Sequence, residues 1–326
     1  MAVIMKTYET DAKSYIYDMR TNDCIDPLGI ECSCVIFSWK VWSDALGWLQ
    51  SAYRIQVNRD NITVWDSGRV ETGESVGIVC EGSLEPCRAY TWTVTVWDNS
   101  ALPLTCTAHF ETGLPEEDSF GKATWISCRQ PNGNSEEAGK DQGEGKDIVE
   151  TPPVFRKAIV IEKVPITARL YTSGLGVYET FINGERVGRL LEDQSTVYDV
   201  LKPGFTESSV RKFYSTYDVT HLLTLGENVL SAVVTPGWWS DAVAGHFGKA
   251  CAYLAKLVLI YEDGSCQVVD TDTSWKSARA SAVVYADIFS GETYDARKDE
   301  SWKRKGFDDS LWEAVVINTE FKGVIC

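Results

Sequence analysis

The sequence predicts an all-β protein made of two tandem β-sandwich domains. Apolar and polar residues alternate in short segments such as 53–57 (YRIQV) and 90–97 (YTWTVTVW), as expected of half-buried strands. Residues 168–188 are typical of two strands joined by a glycine turn, the second carrying a tight Asn183-Gly184 turn. No long segment has the period of a helix. The length of 326 residues allows two domains, each large enough to bury a core.

The first domain is expected at residues 21–114, after an N-terminal tail of residues 1–20. Its strand patterns recur from about residue 35 to 112 with short turns between them, as in a small sandwich. In the two alternating segments, the apolar side chains share one face of each strand: Tyr53, Ile55 and Val57 in the first, and Tyr90, Trp92, Val94 and Val96 in the second.

The second domain is expected at residues 120–320 and is interrupted almost at once by residues 129–153. That stretch is rich in Gly, Glu, Asp and Lys and has hardly an apolar side chain before Ile148. It cannot bury enough surface to offset the entropy lost on ordering. We therefore predict a mobile insertion, and a tolerated insertion is favoured over a functional lid.

A series of further segments resembles one known family in both order and spacing. The N-terminal β-domain of bacterial α-L-rhamnosidases, glycoside hydrolase family 78, is similar to residues 168–188, 214–239, 263–276, 291–297 and 306–312. The fibronectin-type-III-like module that precedes it in those enzymes is similar to residues 26–31, 37–44, 50–57, 64–70 and 90–98. The resemblance implies a fibronectin-type-III-like sandwich followed by a jelly-roll, galactose-binding-like sandwich.

The resemblance also implies that this chain is the non-catalytic part of such an enzyme. In that family the chemistry lies in a later (α/α) barrel, where one carboxylic acid protonates the leaving oxygen and a second carboxylate activates water. Nothing after Trp312 is long enough to form a barrel, so we expect no catalytic residue here and an inactive chain. The expected role is sugar binding or scaffolding, with L-rhamnose-containing glycosides or a catalytic barrel domain as partner. The alternatives are a free-standing carbohydrate-binding module and a structural, protein-docking β-sandwich.

Composition argues against several other classes of protein. The formal net charge of −16 disfavours a nucleic-acid surface, which needs clustered Lys and Arg. The first 20 residues have no apolar signal region and no run of 18 apolar residues occurs, so neither secretion by that route nor a membrane span is expected. The ten cysteines form no C-x-x-C pair and are interpreted as buried free thiols, which fits a cytoplasmic location.

The segment GETYDAR, residues 291–297, supplies the best carboxylate pair of the chain. Positions i and i+3 of a strand face opposite sides, so Glu292 and Asp295 do not converge as a general acid and base. A sugar-binding or interdomain role fits better, with Tyr294 stacking on a sugar ring and Asp295 or Arg297 bonding hydroxyl groups. A salt-bridged loop is an equal alternative.

Trp238 and Trp239 follow Pro236-Gly237 at the end of an apolar strand. In an extended backbone one ring points inward and the other outward. The exposed ring would serve as a sugar platform or as a contact to another domain.

Asn183 is expected mainly to form the Asn-Gly turn. The resemblance adds an alternative, because some family members carry calcium-dependent rhamnose-binding modules in a related β-sandwich. Asn183 with Glu185 or Asp193 would then supply oxygen ligands to calcium. No dinucleotide fingerprint or phosphate-binding loop is present, so no other cofactor is expected.

Overall fold

The computed structural model describes residues 13–98, 103–115, 117, 119–129, 151–191, 193–240 and 247–326. The chain divides into two compact units, Met1–Glu117 and Asp118–Cys326. Residues 130–150 of the predicted insertion lie outside the described residues, so its mobility stays a prediction. No helix in the described ranges is both long and apolar enough to span a membrane.

The first unit is a sandwich of two antiparallel sheets. One sheet has the strand order β1-β2-β5 and the other β4-β3-β6-β7. Its strands are β1 (Ser14–Thr21), β2 (Ile36–Ser43), β3 (Ala52–Arg59), β4 (Ile62–Asp66), β5 (Ile78–Val79), β6 (Ala89–Trp97) and β7 (Leu104–Glu111). The core lies between the sheets, where the Phe37 and Trp92 ring centroids are 4.5 Å apart. The predicted alternation is confirmed, because the apolar positions of segments 53–57 and 90–97 are buried.

The predicted N-terminal tail of residues 1–20 is wrong from Ser14 onward. Strand β1 pairs antiparallel with β2, and its residues Ile16 and Met19 are buried in the core of the first unit. Asp18 has a φ of 48° and lies at a bulge between Tyr17 and Arg20. A bulge shifts the side-chain alternation by one residue, which hides the strand pattern from the sequence.

The second unit packs two six-stranded sheets against each other. Sheet I has the order β16-β10-β18-β8-β24 with β19 beside β18, and sheet II has the order β12-β11-β17-β9-β20-β23. The main strands are β8 (Ile126–Ser127), β9 (Val154–Ile161), β10 (Thr167–Leu175), β11 (Val177–Ile182), β12 (Glu185–Arg186), β13 (Arg189–Leu190), β14 (Thr196–Val197), β15 (Arg211–Lys212), β16 (Ser215–Asp218) and β17 (Gly226–Thr235). Helix α1 (Gly237–Ser240) follows, and then β18 (Ala252–Ile260), β19 (Cys266–Asp270), β20 (Lys276–Ala278), β21 (Val283–Asp287), β22 (Gly291–Tyr294), β23 (Glu313–Ala314), β24 (Val316–Ile317) and β25 (Val324–Ile325). Short 3₁₀ turns occupy Thr220–Leu222 and Ser301–Lys303.

Aromatic side chains from both sheets fill the core of the second unit. Tyr253 of sheet I lies between Phe155 and Tyr178 of sheet II, with ring centroids 6.2 and 5.7 Å away. The Tyr253 hydroxyl is 2.8 Å from that of Thr180. Burial raises the pKa of Tyr178 to about 12, so its hydroxyl stays protonated.

Gly176 carries the chain from sheet I directly into sheet II. Its φ is +125°, and a Cβ at this position would lie 2.1 Å from the carbonyl oxygen of Thr235. Only glycine fits such an approach. The glycine turn predicted within residues 168–188 is therefore a corner between two sheets.

Two other expectations need correction. The second unit continues beyond residue 320, because β25 pairs in parallel with β15. All ten cysteines have free thiols, but only Cys80 and Cys128 are buried, five others are partly exposed, and Cys24, Cys34 and Cys266 are exposed, so the expectation of buried thiols holds for two of the ten.

Candidate functional site

The hairpin of β21 and β22 presents the GETYDAR segment on an exposed surface. Glu292 lies opposite Ala286 in the hairpin, and all four residues of β22 are exposed. Arg297 donates from Nε to Asp295 Oδ1 at 2.8 Å and from Nη2 to Oδ2 at 2.9 Å. These bonds lower the pKa of Asp295. The geometry therefore matches the salt-bridged alternative for Asp295 and Arg297, while the Tyr294 ring stays 55% exposed.

The two tryptophans differ in exposure, but not for the expected reason. The strand ends at Thr235, and the one-turn helix α1 places the two rings, so the expectation of an extended backbone is wrong. Trp239 is buried, and its Nε1 donates to the Ala250 carbonyl at 3.1 Å. A buried Trp239 cannot present a face to a sugar. Trp238 is partly exposed and meets Phe205 edge to face, with centroids 5.7 Å apart.

Asn183 is a structural residue whose side-chain amide nitrogen and oxygen are both engaged in hydrogen bonds. It adopts a φ of 54° in the two-residue loop between β11 and β12, as the Asn-Gly pattern predicts. Its Nδ2 donates to the Leu222 carbonyl and to Asn228 Oδ1, both at 2.9 Å. Its Oδ1 accepts the backbone N–H of Val229 at 2.9 Å.

The weak calcium site does not fit these residues. Asn183 Oδ1 already accepts a backbone N–H, and Asp193 Oδ1 accepts the N–H and the hydroxyl of Ser195. Glu185 is exposed in β12. Across the ranges that the structure describes, no three His, Cys, Asp or Glu side chains form a group that could hold a metal ion.

A partly buried ionic cluster, which no sequence pattern indicated, lies beside β11. The Glu179 carboxylate accepts hydrogen bonds from Arg186 Nε at 2.8 Å and from Arg186 Nη2 at 2.6 Å. It also accepts one from Lys202 Nζ at 3.0 Å. Lys202 is only 2% exposed, and its Nζ lies 5.6 Å from the ring centroids of both Tyr178 and Tyr217. Burial lowers the pKa of Lys202, and Glu179 opposes that effect.

In residues 197–213, which contain Lys202, polar side chains are buried and large apolar side chains are exposed, the reverse of the usual arrangement. Buried polar residues occur at four positions: Lys202, Thr206, Ser208 and Lys212. Exposed large apolar residues occur at seven: Val197, Tyr198, Val200, Leu201, Phe205, Val210 and Phe213. We call these seven side chains, with the adjoining Trp238, the apolar surface. Such a concentration of exposed apolar side chains marks an interaction site.

The apolar surface is held in place by polar contacts beneath it. Arg186, anchored on Glu179, lies 4.6 Å from the Tyr198 ring centroid. The Tyr217 hydroxyl donates to Asp199 at 2.9 Å. The ionic cluster thus fixes the backbone of residues 197–213 at Lys202. The apolar side chains next to Lys202 along the chain face solvent. A sequence signal was available, because seven large apolar residues in 17 positions follow no strand alternation.

Comparison with known proteins gives a consistent set of similarities. Residues 163–326 match the family model of the "Alpha-L-rhamnosidase N-terminal domain". Residues 16–116 match that of the "Rha78A-like, N-terminal immunoglobulin domain", where the sequence had indicated a fibronectin-type-III-like module. Immunoglobulin domains and fibronectin-type-III modules are both β-sandwiches.

An alpha-L-rhamnosidase from Alteromonas sp. (strain LOR) is 30% identical over 316 residues, which cover 92% of this chain and 33% of that protein. The solved alpha-L-rhamnosidase from Dictyoglumus thermophilum is 30% identical with a TM-score of 0.79, over 95% of this chain and 35% of that one. The structure from Aspergillus terreus is 26% identical with a TM-score of 0.78, over 94% and 34%. The chain therefore spans about a third of the length of these relatives.

Proposed function

Since this chain belongs to the family of α-L-rhamnosidase N-terminal domains, we propose that it is the non-catalytic accessory region of an α-L-rhamnosidase. In this role the second unit supports the catalytic part of the enzyme through the apolar surface. Binding and cleavage of a rhamnose-containing glycoside are assigned to that catalytic part.

The inverted pattern of residues 197–213 carries this proposal. Lys202 and Lys212 are buried away from water, whereas Val200 and Phe205 are exposed to it. Both features are unfavourable for an isolated domain, because polar groups lose hydration and apolar groups stay hydrated. A partner that covers the apolar side chains removes the part of that penalty that comes from their exposure to water. The surface contains aliphatic as well as aromatic residues and is therefore better suited to a protein than to a sugar.

The test uses the polypeptide encoded after residue 326 in the same gene or by a neighbouring gene. It is produced separately and mixed with the purified chain, and binding is measured by sedimentation. We expect a complex with a Kd of about 1 µM or below, as for a specific interface. The complex should hydrolyse 4-nitrophenyl α-L-rhamnoside.

The variant Phe205→Glu tests the surface itself. A carboxylate buried there without a partner should weaken the complex by at least about tenfold. Val164→Glu is the matched control, because Val164 is exposed to a similar extent and lies outside the apolar surface. The proposal fails if no glycosidase segment is encoded, or if Phe205→Glu and Val164→Glu bind equally well.

A further inference from the structure

The outer face of the sheet β1-β2-β5 in the first unit carries three exposed aromatic side chains. Tyr15 and Tyr17 alternate along β1 and are 53% and 43% exposed, and Trp42 on β2 is 43% exposed. Tyr15 pairs directly with Trp42 across the two strands, with ring centroids 5.4 Å apart and ring planes inclined by 27°. The Tyr15 and Tyr17 centroids are 5.9 Å apart. The three rings form a continuous strip, which we call the aromatic platform.

A cluster of charged groups borders the aromatic platform at one end. Asp18 pairs with Lys40 at 2.6 Å and with Arg20 at 2.8 Å. The hydrogen bond from Lys40 lowers the pKa of Asp18, so this carboxylate is charged at neutral pH.

The bulge in β1 produces this arrangement. Between Tyr17 and Arg20 the pairing with β2 shifts, and Asp18 takes a positive φ. A bulge redirects the side chains next to it. Asp18 therefore reaches Lys40, the cross-strand partner of Tyr17, instead of pointing into the core.

We propose that the aromatic platform binds a chain of neutral pyranose sugars. The apolar C–H face of a pyranose ring stacks on a flat aromatic face, and its equatorial hydroxyls reach the polar groups at the border. The three rings of the platform are all aromatic, in contrast to the apolar surface of the second unit, and the exposed aliphatic residue on this face of the sheet, Val79, lies on β5 opposite Ile36. A neutral ligand is favoured over an anionic one because the chain carries a net charge of −16.

This inference is independent of the proposed function. It concerns the other unit of the chain, and it stands whether or not the apolar surface of the second unit binds a catalytic partner. The platform would hold the protein on a polymer, whereas the apolar surface would hold the protein on the enzyme.

The test is affinity electrophoresis of the whole 326-residue chain in native gels. Separate gels contain hydroxyethylcellulose, arabinoxylan or galactomannan, which are soluble neutral polysaccharides of different backbones. We expect at least one of them to retard the chain. The double variant Tyr15→Ala/Trp42→Ala should bind that polysaccharide at least about tenfold more weakly, because both stacking faces are removed.

Three further variants separate sugar stacking from general apolar contact. Tyr15→Phe/Trp42→Phe keeps flat rings and should retain binding, whereas Tyr15→Leu/Trp42→Leu keeps apolar area without aromatic faces and should lose it. Phe289→Ala removes an exposed aromatic ring of the second unit and should change nothing. The proposal is overturned if no polysaccharide retards the chain, if the alanine variant is retarded as strongly as the original, or if the leucine variant retains binding.

Discussion

At Asn183, local and long-range contributions to the structure can be separated. The Asn-Gly pattern predicts the turn, and the observed φ of 54° agrees with it. The side-chain partners Leu222 and Asn228 lie 39 and 45 residues away in the sequence. No local pattern indicates such contacts, because the fold of β11 against β17 creates them. A further contact across the same two strands occupies the side-chain oxygen that the calcium alternative assigned to Asn183.

Lys212 gives a prediction about pH at the scale of a single residue. Its side chain is buried with Nζ 5.4 Å from the Trp239 ring centroid, and none of the described carboxylates forms an ion pair with it. Burial lowers its pKa to about 8. Above this pH and up to the unfolded pKa of about 10.4, the unfolded chain binds more protons than the folded one. The contribution of Lys212 to the free energy of unfolding therefore rises with pH between these two pKa values. Below about pH 8 the buried amine is charged, and its full destabilising effect is present.

Replacing the amine by an apolar group should remove this dependence. We expect Lys212→Met to raise the free energy of unfolding by about 2 kcal/mol at pH 7 and by much less at pH 10. Urea unfolding of both proteins at the two pH values measures the difference. Since other titrating groups are common to both proteins, a difference that does not change with pH would contradict the assignment.

At the scale of elements, β9 is fixed to a loop by a buried arginine. Arg156 is 2% exposed and donates from Nε to the Trp302 carbonyl at 3.1 Å, and its Nη1 forms an ion pair with Asp309. Lys276 of β20 donates to the same carboxylate at 2.7 Å. One aspartate thus joins two strands of sheet II to the loop.

Removing that aspartate leaves the arginine charge buried without its partner. We expect Asp309→Ala to lower the free energy of unfolding by about 3 kcal/mol. Asp308→Ala is the matched control, because the hydrogen bonds of Asp308 are local ones with Ser310, and its removal should cost about 1 kcal/mol or less. Denaturant unfolding with hydrogen exchange of residues 301–312 checks both values. Similar losses in the two variants would show that the ion pair has no special role.

At the scale of the whole molecule, each unit has its own hydrophobic core. Ile55 lies in the core of the first unit and Leu257 in that of the second, and both are fully buried. Ile55→Ala and Leu257→Ala should each destabilise the affected unit by about 2–5 kcal/mol. In calorimetry we expect each substitution to lower the Tm of one transition and leave the other in place. A single transition whose Tm falls with either substitution would contradict the presence of two separate cores.

Part of the architecture of the whole molecule could be predicted from the sequence. Two sandwiches, the alternating strands and the Asn-Gly turn follow from local periodicity and turn chemistry, and these are confirmed. Strand β1 was missed because its bulge interrupts the alternation. The aromatic platform depends on which side chains the completed sheet leaves uncovered, and strand periodicity does not distinguish an outer face that binds a partner from one that faces water.

The apolar surface also affects the behaviour of the isolated chain in solution. With a net charge of −16, two copies repel each other at low ionic strength, which keeps their exposed apolar side chains apart. Added salt shortens the range of that repulsion to about 10 Å at 0.1 M, while the attraction between apolar side chains persists. We therefore expect self-association of the chain to increase with added salt, so that its colloidal stability is set by electrostatic screening.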